Sequence, residues 1–393
     1  MVDPESVKKS IRVIIFWLFI FVVSIGVFEI TLRLISYTPS FRMFDYTLIF
    51  DDYLLFRMKP NCNPDINDMG YRGSNFDHEN INQIRRVLFL GDSFIMGHNV
   101  DPNETIVAAL GKNLGAGYEV LNMGVLAYGP DQSLLALLED GLDLNPDMVI
   151  LGVFAANDFR DIDHNEIFSV DEGVRLIQNR HNVVTKDMPK LQTHFMFYRL
   201  QAALQPMIDK NQKYLSRKYE YMMYHMVSDF YDWELLYFPD SEVSRNNIDI
   251  MRAIFVRFKE ELNSKGIPFA IVNIPSYLNV VDPTRFEGEG FYYEHPDDYE
   301  IAKEKDFFGP EDIVVELCEN LHIPYVNLYP EFLELDEKER ATLYDEGDWH
   351  LSAYGNQISG DLVASELVKP LLPPPDWEIN RPPRLPKLQR PWM

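Results

Sequence analysis

A hydroxyl, an imidazole and a carboxylate that can pass a proton along a line make an activated nucleophile, and the chain carries a candidate for each. Ser93 stands in Gly91-Asp92-Ser93-Phe94-Ile95-Met96-Gly97, directly after the apolar run 86–90. That position is where a chain leaves a strand, and Gly91 permits the sharp turn. Asn122-Met123-Gly124 closes a second apolar run, 118–123, and the Gly124 N–H is a donor with no side chain to obstruct a substrate. Ala155-Ala156-Asn157-Asp158 follows a third run, 148–154, where the Asn157 carboxamide is a neutral donor. Asp345-Glu346-Gly347-Asp348-Trp349-His350 supplies the rest. Asp348 and His350, two residues apart, share a face if the loop is extended, so the carboxylate can hold one ring nitrogen and free the other for a serine proton. Asp345 is the alternative orienting acid. Together these groups amount to acyl transfer through a serine ester, with Ser93, Gly124 and Asn157 as oxyanion donors. The chemistry requires neither metal nor cofactor. Asp345, Asp348 and His350 are too few for a closed metal site, and Gly111, Gly115 and Gly117 lack the lysine and hydroxyl residue of a phosphate-binding loop. Singly, each block has a plain structural use as a turn, a helix cap or a core histidine.

The elements that must bring these blocks together are legible as alternating runs. The stretches 86–90, 118–123, 148–154, 269–274 and 325–328 are short, apolar and bounded by Gly, Pro, Asn or Asp, as strands buried on both faces are. Helix-period segments separate them. Ile248, Met251, Phe255, Phe258 and Leu262 share one face, with a stop at Gly266; others span about 132–138 and 311–321. A last helix is capped by Ser352, carries Tyr354, Ile358 and Leu362 on one face, and should end by Pro370. Strands alternating with helices predict a three-layer α/β/α sandwich around a central parallel five-stranded sheet, with the site beyond the C-terminal strand ends.

Ahead of this domain, 13–28 has no charge and covers roughly 24 Å of helix, and 30–35 extends it. Lys8, Lys9 and Arg12 precede the run. They predict a cytoplasmic N-terminus (1–12), a single transmembrane anchor (13–35) and a remainder that is periplasmic or extracellular. A linker (36–67) then leads to the main domain (68–369). Within that domain 161–244 is an insertion dense in aromatics and methionines, including Phe195, Tyr198, Tyr221, Met222 and Trp233, read mainly as packing on the sheet or else as a cap over the site. The segment 370–393 is a proline-rich extended tail. The 393 residues carry 36 Lys and Arg against 61 Asp and Glu, a net charge of -25, which excludes a nucleic-acid binder and disfavours polyanionic partners. Two cysteines, Cys62 and Cys318, exclude a disulfide scaffold; Cys318 lies in a helical apolar pattern that reads as a buried thiol.

With the blocks in place the chain resembles the SGNH, or GDSL-type, hydrolases. Gly91-Asp92-Ser93, Asn122-Met123-Gly124, Asn157-Asp158 and Asp348-Trp349-His350-Leu351-Ser352 look like the family's four blocks in the family's order, across about 68–368. Gly70-Tyr71-Arg72-Gly73 is similar to a motif seen ahead of the serine block in membrane-anchored bacterial members. The resemblance implies a flavodoxin-like fold and an enzyme acting on ester bonds. It implies Ser93 as nucleophile, His350 and Asp348 as base and acid, and Ser93, Gly124 and Asn157 as the oxyanion hole. Two positions depart from the pattern. Ala155 replaces the usual glycine of the third block, adding a methyl group near the pocket. The acid commonly sits three residues before the histidine, where this chain has Gly347; Asp348 matches the variant of alginate O-acetyltransferase relatives.

Three functions follow as expectations. The first is an anchored esterase removing a short acyl or acetyl group from an envelope glycan or another ester substrate. The second is an O-acyltransferase on a polysaccharide using the same triad. The third is a non-catalytic envelope scaffold that retains the fold, which has no need of a complete triad. Beyond the membrane and the acylated substrate, no protein partner is legible.

Overall fold

The computed structural model describes residues 4–34, 40–43, 46–51, 53–76, 84–172, 175–179, 235, 239–281, 309–345 and 347–375. Helix α1 (Pro4–Leu34) leads into an antiparallel sheet of β1 (Ser40–Met43), β2 (Tyr46–Asp51) and β3 (Leu55–Met58). Then come β4 (Arg85–Gly91), α2 (Ser93–Met96), α3 (Ile106–Leu114), β5 (Tyr118–Gly124), α4 (Pro130–Ala136), β6 (Met148–Phe154) and α5 (Ala155–Asn165). A hairpin of β7 (Phe168–Val170) and β8 (Leu176–Gln178) follows. Past the undescribed part of the insertion lie α6 (Glu242–Asn263), β9 (Phe269–Ile274), α7 (Tyr277–Val280), α8 (Gly309–Leu321), β10 (Tyr325–Asn327), α9 (Leu328–Leu333), α10 (Glu337–Arg340) and α11 (Ala353–Leu362).

The central sheet has the order β10-β9-β6-β4-β5, and every neighbouring pair is parallel. Its five strands start and stop within a residue or so of the apolar runs in the sequence. All seven residues of β6 are buried, because helices cover both faces. One face packs α4, α6 and α8 through residues such as Leu134, Phe255, Phe258 and Leu317, and the other packs α3 and the C-terminal helical segment through Ile106, Leu110, Val363 and Leu367. Each such side chain contributes about 1.5–3 kcal/mol by leaving water, so the sheet is the rigid floor on which the site stands.

Within the stretch 36–67, read as a linker, the described residues from Tyr46 to Asn67 pack into the folded body. Leu48, Leu54 and Met58 are fully buried, and the Tyr128 hydroxyl and Gln132 amide donate to the carbonyls of Phe56 and Leu54 at 2.8 and 2.7 Å. The C-terminal helix also outruns its expected stop. A π-helical segment, Val363–Val368, follows α11, and one further turn, Lys369–Leu371, takes in Pro370. In the widened segment hydrogen bonds skip a residue, so a position that cannot donate is tolerated.

Helix α1 holds an apolar stretch, Ser10–Thr31, of 22 residues with mean hydropathy 2.7, and its large apolar side chains are exposed almost throughout. At 1.5 Å per residue it measures roughly 33 Å, enough to cross a bilayer core. Helicity reaches back through Lys8, Lys9 and Arg12. Cys62 and Cys318 are both free, and burial pushes the Cys318 thiol up to about 12. The aromatic residues named in the insertion and the tail beyond 375 lie outside the described residues.

Candidate active site

The C-terminal ends of β4, β5 and β6 lie side by side, with Gly91 and Gly124 in register. The turns that follow them therefore leave one edge of the sheet, as parallel crossovers require. Ser93 opens α2, and Asp92 caps that short helix by accepting from the Phe94 N–H at 2.9 Å. Gly91 is forced by close packing: a Cβ there would sit 2.5 Å from Ile95 Cγ1.

The opposing loop is built differently. Tyr344 and Leu351 form a bridge, the Asp345 N–H donates to the His350 carbonyl at 2.8 Å, and the Trp349 N–H returns to the Asp345 carbonyl at 2.9 Å. Asp348 and His350 nevertheless do not share a face of an extended loop. Trp349 between them is left-handed, at φ 62°, an uncommon state for a bulky residue. Its indole stacks on Tyr277 at 5.6 Å, which holds the turn shut. The Tyr344 hydroxyl donates to the Pro275 carbonyl at 2.7 Å and ties the loop to the end of β9.

Residues 257 positions apart in sequence meet here. His350 Nε2 lies 2.7 Å from Ser93 Oγ, and His350 Nδ1 lies 2.9 Å from Asp348 Oδ2. Asp348 Oδ1 also accepts from the His350 N–H at 3.3 Å. Burial pushes the Asp348 carboxyl up, but the hydrogen bonds and positive character of His350, with His98 nearby, outweigh this and hold it below the ordinary aspartate range. The environment thus favours the carboxylate form of the acid. Asp345 is engaged elsewhere, since its carboxylate caps the turn by accepting from the Gly347 N–H at 2.7 Å.

The three donor positions differ. The Asn157 side chain is half-buried in the first turn of α5, its Oδ1 buried without a hydrogen-bond partner. The Gly124 N–H already donates to Asn122 Oδ1 at 3.0 Å. Gly124 is a glycine because a Cβ would come 2.2 Å from the Met96 nitrogen, so β5 presses directly on the serine's helix. The Ala155 methyl does not line the cleft; it is fully buried in the core on the side of Phe159 and Phe255.

Several residues that shape the site have no role legible in the sequence pattern. Phe94 stacks on Phe154 at 4.2 Å and faces the His350 ring at 4.7 Å, fixing the imidazole plane. The Asn122 amide donates to the Ile95 carbonyl at 3.0 Å and staples α2 to β5. Beneath the serine turn three carboxyls, Asp92, Asp131 and Asp158, are buried, and a fourth, Asp161, is partly so. Burial raises Asp92 to about 7 and Asp131 to about 7, lifts Asp158 well above the usual range, and raises Asp161. A groove of about 610 Å³ lies to the side, between α3 and α11, lined by Lys112, Asn113, Tyr354, Gln357 and Asp361 and by no residue of the triad. Among the described residues no cluster of three metal-ligating side chains occurs.

No protein-family model matches the chain, and no curated protein does. Solved structures similar to the chain include the acetyl xylan esterase AlAXEase (13% identity, TM-score 0.38, covering 72% of this chain and 99% of that one). A lipase/acylhydrolase from Enterococcus faecalis is similar at 14% identity and TM-score 0.38 over 74% of this chain and 99% of that one. Est24, a carbohydrate acetylesterase from Sinorhizobium meliloti, is similar at 15% identity and TM-score 0.35 over 71% of this chain and 96% of that one. The activities in these names are those of the proteins that bear them.

Proposed function

We propose that the chain is a serine esterase in which Ser93 is the nucleophile, His350 the general base and acid, and Asp348 the group that orients and stabilises the imidazole. The observation that carries this reading is the line from Ser93 Oγ through the imidazole to Asp348 Oδ2, at 2.7 and 2.9 Å. A structural histidine has no reason to place one nitrogen against a half-exposed serine at a strand end while an anionic carboxylate holds the other. His350 Nε2 takes the hydroxyl proton as Ser93 Oγ bonds to the ester carbonyl carbon. The carbonyl oxygen becomes an oxyanion facing the Ser93 N–H and the Asn157 amide, each such donor being worth about 2.7–4 kcal/mol of barrier. Gly124 joins them once Asn122 Oδ1 gives up its N–H. The imidazolium then protonates the departing alkoxide, the ester bond breaks, and an acyl-serine is left. Water activated by the same imidazole releases the acid and restores the serine. A sugar hydroxyl in place of water would make the same site an O-acyltransferase.

In this reading α1 anchors the enzyme, with Lys8, Lys9 and Arg12 on the cytoplasmic side and the sheet domain in the periplasm or outside the cell. An envelope glycan bearing short acyl esters is the substrate such a location supplies, and the net charge of -25 disfavours polyanionic ones. Turnover of p-nitrophenyl acetate by the detergent-solubilised full chain and its Ser93→Ala variant tests the core of the proposal. Serine-dependent release of nitrophenol is the expected result, and equal rates in both proteins would contradict it. Repeating the assay with an added neutral oligosaccharide separates the two fates of the acyl group: free acetate marks hydrolysis, and acetylated sugar marks transfer.

A further inference from the structure

The turn that leaves α2 does something no catalytic motif requires. Gly97 and Asn99 both adopt left-handed backbone, at φ 79° and 64°, and between them they fold the chain back toward the loop that carries Asp348. Asn99 Nδ2 there donates to Asp348 Oδ2, the same oxygen that holds His350 Nδ1. His98, buried beside it, brings Nε2 to 3.8 Å from that oxygen and sets its ring edge-on to His350, at 5.2 Å and 72°. The turn is clamped from behind by Arg72, the charged residue of Gly70-Tyr71-Arg72-Gly73. Its buried guanidinium donates to the Met96, Gly97 and Val100 carbonyls, at 3.4 Å for the first and 2.6 Å for the last. A forked donor on successive carbonyls fixes a turn as a point charge cannot.

We propose that Asn99 is a positioning residue for the acid–base pair. Held out by the Arg72-clamped turn, its amide locks the Asp348 carboxylate so that Oδ2 stays in line with His350 Nδ1. This inference rests on the reading of Ser93, His350 and Asp348 as catalytic. A lock is needed because the Asp348 side chain is 25% exposed, and both of its bonds to His350, to the ring at 2.9 Å and to the backbone N–H at 3.3 Å, run to the residue it has to orient. A neutral donor suits the place. Lysine or arginine would orient the carboxylate equally well but cancel the charge that steadies the imidazolium. Asparagine also tolerates the left-handed backbone that delivers it.

The test uses the full-length protein and two substitutions that fit the backbone. Asn99→Asp keeps shape and φ while replacing the donor with a second carboxylate against Asp348. Asn99→Gly removes the side chain without strain. At neutral pH kcat for p-nitrophenyl acetate should fall about 100-fold in Asn99→Asp and about 10-fold in Asn99→Gly, with KM within about twofold. The Asn99→Asp deficit relative to wild type should shrink as pH drops toward ~4, where the introduced carboxyl takes up a proton. A second readout needs no turnover: the His350 Nδ1 proton resonance, sharp and downfield in wild type and Ser93→Ala, should broaden or move upfield in Asn99→Asp. Both variants matching wild type in kcat and in this resonance would overturn the proposal. A wild type without Ser93-dependent turnover would instead sink the catalytic reading, and the resonance alone would then decide whether Asn99 positions Asp348.

Discussion

The two halves of the site are built by opposite means. The serine side is a sheet edge: β4 and β5 are buried, Gly124 presses on α2, Asn122 staples it and Asp92 caps it, so the backbone has no freedom left. The histidine side is a loop of 345–351, partly exposed, closed by its own turn hydrogen bonds, a left-handed Trp349 and an indole stacked on Tyr277. Packing positions the nucleophile, whereas a few polar and aromatic contacts position the base and its acid. Chemistry should therefore fail on either side when the reacting groups go. Stability should respond chiefly to the serine side.

The largest effects come from the reacting groups. Ser93→Ala and His350→Ala should each lower kcat by about 10⁴-fold or more in the p-nitrophenyl acetate assay, and to similar extents, because triad members act as a unit. Asp348→Asn should cost on the order of 10³-fold, since the amide offers His350 Nδ1 the wrong hydrogen-bonding partner. Asp345→Asn, altering only a turn cap, should stay within about tenfold, and a larger loss there than at Asp348 would reassign the acid.

The sheet edge was legible in the sequence because burial on both faces leaves short apolar runs, and the Gly, Asn and Asp residues that end them are the ones that carry chemistry. The order of the blocks along the chain and the parallel sheet follow from that alone. The loop was legible only in composition. An extended path between Asp348 and His350 was the natural reading of a two-residue spacing, and it is the stacking of Trp349 on Tyr277, a distant contact, that bends it. The linkage of Asn99 to Asp348 joins residues 249 positions apart and has no local signature. The alternation of Tyr46, Leu48 and Phe50 has a strand's period, and it lies in the stretch read as a linker. Gly124 has a second need for glycine that the sequence does not reveal, the close approach of the helix that carries the serine.

Two smaller effects sharpen the contrast in stability. Gly124→Ala drives a methyl group into the backbone of α2 and should destabilise the domain by about 3 kcal/mol in denaturant unfolding, with activity falling alongside. The loop offers no comparable point of failure; Trp349→Gly, which relieves a left-handed backbone while losing a stack, should change stability by less than about 1.5 kcal/mol. The buried acids beneath the serine turn give an effect spread across pH rather than confined to one substitution. With Asp92 and Asp131 raised to about 7, the folded state holds protons that the unfolded chain has already released. Stability should therefore fall as pH rises from ~4 through 7 and level off above. Asp131→Asn should flatten that slope in melting curves taken across the range, and an unchanged slope would mean that this carboxyl is ionised in the fold.

The most direct measurement is labelling of the full chain with a fluorophosphonate, followed by mapping of the modified residue. The account predicts one phosphonylated side chain, Ser93, with labelling lost in His350→Ala and strongly slowed in Asp348→Asn. Modification of another residue, or labelling of Ser93 that persists at the same rate without His350, would contradict it.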